Sequence, residues 1–150
     1  MLAVVYQGKG LIKVEDVLVP KISPNEILLR VRAASICGTD LKIKAFGHFK
    51  NPQDKKMILG HEVAGEIAEV GSDLKGFSKG DRISLAPNIG CGVCGQCIKG
   101  QSNYCEDYEA IGISMDGALA GYMIQGNIVK LDEAIKHEES RHLISGQISQ

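Results

Sequence analysis

Tryptophan is absent from this chain of 150 residues, and aromatic residues make up only 5% of it. Net charge is almost absent as well, since Lys+Arg 17 and Asp+Glu 18 nearly cancel. Nucleic-acid-binding surfaces need a basic field and aromatic stacking platforms, and this composition supplies neither. Long hydrophobic runs are also missing, because no segment approaches the roughly 20 apolar residues that cross a bilayer. We therefore expect no nucleic-acid partner and no membrane association.

A secretory signal is not recognisable either. The N-terminus has no basic start, no long apolar core and no small-residue cleavage site. We therefore expect a cytoplasmic protein in which the five cysteines stay reduced. Hydrophobic residues at 44% and charged residues at 23% are ordinary for a folded chain of one domain.

Short β-rich runs separated by turn residues fill most of the chain. We predict strands at 2–6, 11–17, 26–36, 58–70, 81–86, 118–124 and 127–131, and one or two helical turns at 37–46. Gly8-Lys9-Gly10 is a hairpin signal between the first two strands. Residues 88–108 show no periodicity and read as a loop, whereas 132–150 read as a polar helix or tail. The pattern predicts a mainly β fold with a few short helices, an antiparallel barrel or sandwich.

The loop at 88–108 carries four cysteines, Cys91-x-x-Cys94-x-x-Cys97 followed by Cys105. Four thiolates can surround a tetrahedral zinc ion with Zn–S distances of about 2.3 Å. Because the loop has little apolar content, a metal would supply the stability that packing cannot. All four ligands come from one loop, so we expect a structural zinc. A ferredoxin-type iron–sulfur site is the alternative, but the expected fourth cysteine and proline do not follow.

A second group of candidate ligands lies in Cys37-Gly38-Thr39-Asp40 and Gly60-His61-Glu62. A cysteine and a histidine at the ends of separate elements are plausible ligands of an open zinc site. Glu62 could be a further ligand or a nearby charge. Asp40 could orient His61 through its second ring nitrogen, and Thr39 could carry a proton. The residues alone leave this metal site and a pair of ordinary buried side chains equally open.

These motifs occur together and in order, and the second continues as Gly60-His61-Glu62-x-x-Gly65-x-x-x-x-x-Gly71. Over residues 1–131 the chain resembles the N-terminal, GroES-like catalytic domain of zinc-dependent medium-chain alcohol dehydrogenases. The segment from Ser35 to Leu41 is most similar to the polyol and threonine dehydrogenase group. The resemblance implies a GroES-like Greek-key barrel with a zinc-binding cysteine loop.

The resemblance also implies a role for each motif residue. Cys37 and His61 would bind the catalytic zinc, and Glu62 would lie beside it and ligate it in some states. Thr39 would relay the proton of the alcohol, and Asp40 would brace His61. The four loop cysteines would hold the structural zinc. The substrate would be a small alcohol or polyol, and its hydride would pass to NAD or NADP with the help of zinc.

Three features depart from this family pattern. The chain ends at Gln150 without a Gly-x-Gly-x-x-Gly after a predicted strand, so we expect no Rossmann domain and no residue that binds NAD or NADP. In the polyol group, a Glu-Pro-Leu-like segment after a Glu-Glu pair supplies the third zinc ligand. Here Glu138-Glu139 leads to Ser140, and His142 is either a substitute ligand or a solvated side chain. Lys42 stands where many relatives carry a histidine.

Two readings of function therefore remain. The leading one is the zinc-binding catalytic domain of an NAD(P)-dependent alcohol or polyol dehydrogenase, with little or no turnover as this chain alone. The alternative is a non-catalytic zinc-binding GroES-like module that serves structure or interaction. Loss of a partner domain would expose apolar surface, so we also expect self-association or a homo-oligomer.

Overall fold

Antiparallel strands are the main regular structure of the computed structural model, which describes residues 1–126. The strands are β1 (Leu2–Tyr6), β2 (Ile12–Asp16), β3 (Ile27–Ser35), β4 (Met57–Ile58), β5 (Glu62–Val70), β6 (Arg82–Ser84), β7 (Asn88–Ile89), β8 (Glu109–Ala110) and β9 (Tyr122–Gln125). The helices are α1 (Gly38–Phe46), α2 (Gly95–Ile98) and a 3-10 turn at Ser102–Tyr104. The predicted strand at 127–131 and the segment 132–150, with Glu138, Glu139 and His142, lie outside the described residues.

The strands form three sheets, with the strand orders β2-β1-β4, β6-β5-β3-β9 and β7-β8. The segment before β9 links the first two sheets, because the Val4 N–H donates to the Leu119 carbonyl at 2.8 Å and the Val31 N–H donates to the Gly121 carbonyl at 3.0 Å. The mainly β prediction is confirmed. In the described part of the chain, hydrogen bonds trace separate linked sheets and no single closed ladder. No helix among these residues is long and apolar enough to span a bilayer.

Two predictions that rest on a few neighbouring residues, the β1–β2 hairpin and the helix at 37–46, are confirmed. The β1–β2 hairpin turns at Gly8 and Gly10, whose φ angles are 111° and 82°, and the Leu11 N–H donates to the Gly8 carbonyl at 3.0 Å. The helix predicted at 37–46 is α1, which is nine residues long and slightly exceeds the one or two turns expected.

The prediction of one strand over 58–70 is wrong, because Gly60 interrupts it. β4 ends at Ile58 and β5 begins at Glu62. Gly60 has a φ of +95°, and a Cβ there would lie 2.5 Å from the Leu119 Cγ. Only glycine fits both the conformation and the space. The interruption places His61 between two strands, where it is buried.

The loop prediction for 88–108 and the strand prediction for 118–124 also need correction. The cysteine loop contains β7, α2 and the 3-10 turn, each too short to show periodicity in the sequence. β9 begins only at Tyr122, because residues 118–121 bond to β1 and to the Leu59 and Gly60 region before the strand starts.

Two apolar clusters support the fold. The larger lies on the four-stranded sheet and contains Ile27, Leu29, Val63, Ile67, Ile83, Ile111, Ala118 and Met123. The smaller contains Tyr6, Ile43, Met57 and Leu59. Ile43 belongs to α1, and Leu59 precedes the Gly60 turn. The smaller cluster therefore fixes α1 against the segment that carries His61.

Candidate metal centres

Cys37, His61 and Glu62 meet where β3 leads into α1. Cys37 directly precedes α1, and the antiparallel register of β3 and β5 places Ser35 opposite Glu62. One ligand atom from each of Cys37, His61 and Glu62 lies within 4.8 Å of the other two. Tetrahedral zinc with bonds of about 2.0–2.3 Å separates its ligand atoms by about 3.3–3.8 Å. The side chains that the sequence assigned to this site are therefore close enough to share one ion.

Asp40 contacts both halves of this site. Its Oδ2 accepts a hydrogen bond from the Cys37 N–H at 2.8 Å, and its Oδ1 lies 3.6 Å from the His61 Nδ1. The second distance is an ion-pair distance and too long for a hydrogen bond. Asp40 is 3% exposed and His61 7%, and neither Oδ1 nor Nδ1 has a hydrogen-bond partner among the described residues. Because Nδ1 faces Asp40, Nε2 is the nitrogen left for a metal.

The pKa values at this site favour the charged forms of its side chains. The Asp40 carboxylate raises the pKa of His61 to about 9 against the opposing effect of burial. Burial raises the pKa of Asp40, but His61 and the backbone N–H groups of Cys37 and Gly60 outweigh it, so that pKa falls below its usual value. The Thr39 backbone N–H lowers the pKa of the Cys37 thiol, and His61 adds to this. His61 can bind a metal only as the neutral imidazole, so an ion at this site would displace the proton that its raised pKa holds. Anionic sulfur and oxygen beside the neutral ring would then be a donor set that fits zinc.

Thr39 and Glu62 complete the surroundings of Cys37. The Cys37 Sγ and the Thr39 Oγ1 are 3.7 Å apart. The Ser35 hydroxyl donates a hydrogen bond to the Glu62 Oε2. No role for Ser35 follows from the sequence alone, because its pairing with Glu62 depends on the register of β3 and β5. Lys42 is exposed on α1.

The four loop cysteines form the second candidate centre. Their Sγ atoms lie within 4.8 Å of one another, and all four thiols are free. Three backbone N–H groups donate to these sulfurs. The Cys91 N–H donates to the Cys105 Sγ at 3.4 Å, and the Cys94 N–H donates to the Cys91 Sγ at 3.4 Å. The Cys97 N–H donates to the Cys94 Sγ at 3.5 Å. The Cys97 N–H is the main cause that lowers the pKa of the Cys94 thiol to about 7.

This sulfur spacing favours a single ion. Zn–S bonds of about 2.3 Å place tetrahedral sulfurs about 3.8 Å apart. A multi-iron cluster needs wider spacing, because its thiolates bind different iron atoms. A tight loop is possible because Gly90 has no side chain, since a Cβ there would lie 2.7 Å from the Cys97 Sγ.

The same loop contains a Gly-x-Gly-x-x-Gly spacing at Gly90, Gly92 and Gly95, and it follows β7. The sequence analysis found no such spacing after a strand, because β7 is only two residues long and was not predicted. Two of the intervening residues are Cys91 and Cys94. β7 pairs antiparallel with β8, and α2 has four residues. A dinucleotide site needs a parallel βαβ unit, so these glycines shape the metal loop instead.

A cavity lies at the opposite end of α1 from Cys37. It encloses about 260 Å³ and is lined by residues that include Lys9, Phe46, His48, Phe49 and Asp54. Burial, together with the charge of Lys50, lowers the pKa of His48, which favours a neutral ring. α1 is nine residues long, which separates this cavity from Cys37 by about 13 Å along the helix axis. It is therefore not part of the Cys37 centre.

Fold and centres together define a class: an antiparallel β domain with a four-thiol loop and a second sulfur, nitrogen and oxygen cluster. The alcohol dehydrogenase GroES-like domain family matches residues 23–133. The chain belongs to this family, and the GroES-like fold class predicted from the sequence is confirmed. Oxidoreductases of the alcohol dehydrogenase type are its relatives.

Sorbitol dehydrogenase of Bacillus subtilis (strain 168) is 38% identical over 144 residues, which are 93% of this chain and 41% of that protein. L-threonine 3-dehydrogenase of Pyrococcus horikoshii is 40% identical over 118 residues, 78% of this chain and 33% of that protein. The crystal structure of a zinc-binding dehydrogenase from Sinorhizobium meliloti 1021, bound to NADP, superposes with a TM-score of 0.75 at 38% identity. That match covers 83% of this chain and 36% of that one. The chain thus spans well under half of the length of these relatives.

Proposed function

We propose that this chain is the zinc-binding catalytic domain of an NAD(P)-dependent alcohol or polyol dehydrogenase. The observation that carries the proposal is the meeting of Cys37, His61 and Glu62 within 4.8 Å of one another, with Asp40 against the first two. This donor set lies where the inner strand β3 ends and the inner strand β5 begins, and perturbed acid–base groups of this kind cluster at functional sites. The relatives named sorbitol and L-threonine dehydrogenase support the substrate class.

Two zinc ions are part of the proposal. Cys37, His61 and Glu62 would hold the catalytic zinc, and Cys91, Cys94, Cys97 and Cys105 would hold the structural zinc. Three protein ligands leave a fourth position open for substrate, whereas four thiolates close their site. Zinc at an open site acts as a Lewis acid and lowers the pKa of an alcohol hydroxyl.

The chain's own side chains divide the remaining work. Thr39, whose Oγ1 lies 3.7 Å from the Cys37 sulfur, would accept the proton of a substrate hydroxyl and donate its own onward. Asp40 holds the ring of His61 in one orientation and keeps Nε2 free for the ion. Glu62 adds negative charge to the site, which favours a bound cation.

The hydride acceptor belongs to a further part of the proposed enzyme. The named strands of residues 1–126 all pair antiparallel, and these residues contain no parallel βαβ unit that could hold a nicotinamide. NADP bound to the Sinorhizobium meliloti relative supports a nicotinamide cofactor for the whole protein. We therefore expect the 150-residue chain, assayed alone, to bind zinc and small alcohols with little or no turnover. The cytoplasmic location stays a prediction.

Alcohol binding to the metal-loaded chain tests this function. The chain is loaded with Co²⁺ in place of zinc and titrated with ethanol, sorbitol and L-threonine, and the visible absorption of the cobalt is followed. At least one of these alcohols should shift the absorption bands of the cobalt bound at the Cys37, His61 and Glu62 centre. Cys37→Ser is the control, because it retains only the cysteine-loop cobalt and should show no shift. Bands that no alcohol perturbs would favour the non-catalytic zinc-binding module instead.

A further inference from the structure

Ser35 is the last residue of β3 and stands two residues before Cys37. Its side chain is exposed, and its hydroxyl donates a hydrogen bond to the Glu62 Oε2 across the β3–β5 ladder. Glu62 is less enclosed than His61, because it is the first residue of β5 and is only half-buried. Without a partner, its carboxylate could swing into solvent.

The hydrogen bond therefore removes conformational freedom from Glu62. A glutamate side chain has several rotatable bonds, and fixing them on metal binding costs conformational entropy. A hydrogen bond present before the ion arrives lowers this cost, because the side chain is already restricted. Since Ser35 occupies Oε2, the second carboxylate oxygen stays available. Ligating carboxylates in metal sites are themselves held by hydrogen bonds in this way.

We propose that Ser35 is a positioning residue of the Cys37, His61 and Glu62 centre, whose hydroxyl holds one oxygen of Glu62 so that the other can bind the cation. This inference rests on the proposed function, because it requires a metal ion at that centre. It goes further in naming a residue that determines whether Glu62 acts as a ligand.

The test is a Co²⁺ titration of the 150-residue chain in four forms: unaltered, Ser35→Ala, Ser35→Thr and Ser84→Ala. Ser35→Thr keeps a hydroxyl and is well tolerated in a strand. Ser84 is the matched control, because it is an exposed serine of the same sheet whose hydroxyl donates to the Val63 carbonyl at 3.0 Å. The cysteine-loop cobalt, which fills separately, is the internal standard for correct folding.

In Ser35→Ala we expect about a tenfold loss of affinity at the second cobalt site, with altered visible bands as Glu62 leaves the coordination sphere. Ser35→Thr and Ser84→Ala should keep the affinity of the unaltered chain, and the loop site should bind equally in all four forms.

Equal second-site affinity in Ser35→Ala and the unaltered chain would overturn the inference. Tighter binding in Ser35→Ala would also overturn it, because Ser35 would then restrain Glu62 from the metal. If Ser35→Thr lost as much second-site affinity as Ser35→Ala, the cause would be packing and not the hydroxyl, and the inference would also fail. If the unaltered chain binds cobalt only in the cysteine loop, the proposed metal centre itself fails, and this inference fails with it.

Discussion

Asp40 is the side chain that connects the two segments on which the proposed catalytic centre depends. It accepts from the backbone N–H of Cys37 and faces the ring of His61, and it is almost fully buried. A buried carboxylate is costly unless charges and donors surround it. Its position beside two candidate metal ligands is best explained by its effect on them, since a neutral side chain could accept from the Cys37 N–H at lower cost.

Replacing Asp40 by asparagine tests this effect. Asp40→Asn keeps an oxygen that can accept from the Cys37 N–H but removes the charge opposite the His61 Nδ1. We expect the affinity of the Cys37 centre for zinc to fall by about 10–100-fold, with the loop site unchanged. Competition with a coloured chelator measures both affinities. Asp116→Asn is the control, because Asp116 likewise accepts from a backbone N–H, that of Ile58 at 2.8 Å. Unchanged zinc affinity in Asp40→Asn would contradict this role.

Tyr6, in the smaller apolar cluster, should make the free energy of unfolding depend on pH. It is fully buried, and its hydroxyl donates to the Asp54 Oδ1 at 2.7 Å. Burial, with a contribution from Asp54, raises the pKa of Tyr6 from 10.0 to about 12. Above pH 10 the folded chain keeps a proton that an unfolded tyrosine releases. The free energy of unfolding should therefore fall as pH rises between about 10 and about 12.

The comparison chain is Tyr6→Phe, which lacks the ionisable hydroxyl. Urea unfolding at steps across this pH range should show the stability advantage of the unaltered chain over Tyr6→Phe shrinking as pH rises. Parallel stability curves for the two chains would mean that the pKa of Tyr6 is the same in the folded and unfolded states.

At the scale of elements, the position of His61 depends on the turn at Gly60 between β4 and β5. The Gly60 carbonyl accepts from the Ala118 N–H at 2.9 Å, and Gly112 and Gly117 pack directly against it. A Cβ on either of those glycines would lie within 2.5 Å of the Gly60 carbonyl oxygen. Three glycines thus allow a close backbone contact that turns the chain and buries His61.

Gly60→Ala and Gly80→Ala separate conformational strain from steric overlap. Both glycines have a φ of +95°, but nothing lies within 4 Å of a Cβ at Gly80. Gly80→Ala should destabilise the fold by about 1–2 kcal/mol through strain alone. Gly60→Ala should cost about 1–3 kcal/mol more, because its methyl group would overlap Leu119. Urea unfolding measures both, and equal losses would contradict the packing described here.

The elements that the sequence predicts well are those whose signals are local. The β1–β2 hairpin follows from Gly8 and Gly10, and α1 follows from a short apolar pattern. The break at Gly60 was not predictable, because the reason for it is Leu119, which approaches only in the folded chain. The same distinction applies to the candidate centres. Cys37, His61 and the loop cysteines are visible as motifs, whereas Ser35 acts through strand register.

At the scale of the whole molecule, apolar side chains remain exposed at both ends of α1. Ile36 and Leu41 flank Cys37 in sequence, and Phe46 and Phe49 follow at the other end of α1; their exposures are 69, 62, 77 and 72%. Exposed apolar surface of this kind seeks a partner. Self-association stays a prediction. The exposed side chains around α1 are the surface through which we expect it to occur.

Light scattering at increasing protein concentration tests the self-association. We expect the mean mass to rise above that of one chain and the rise to weaken in Leu41→Ser/Phe46→Ser. Val14→Ser is the matched control, because Val14 is 67% exposed on β2, away from α1. A constant monomer mass at all concentrations would refute this prediction.

We expect this chain to hold two metal centres of different kinds, which elemental analysis of the purified protein would count. We expect two zinc ions per chain, one for each cluster of ligands. Cys37→Ser should lose one of them and Cys97→Ser the other, and neither variant should lose both. A single zinc in the unaltered chain that Cys37→Ser leaves in place would show that the Cys37 centre binds no metal. Iron with sulfide in place of zinc would contradict the account as a whole.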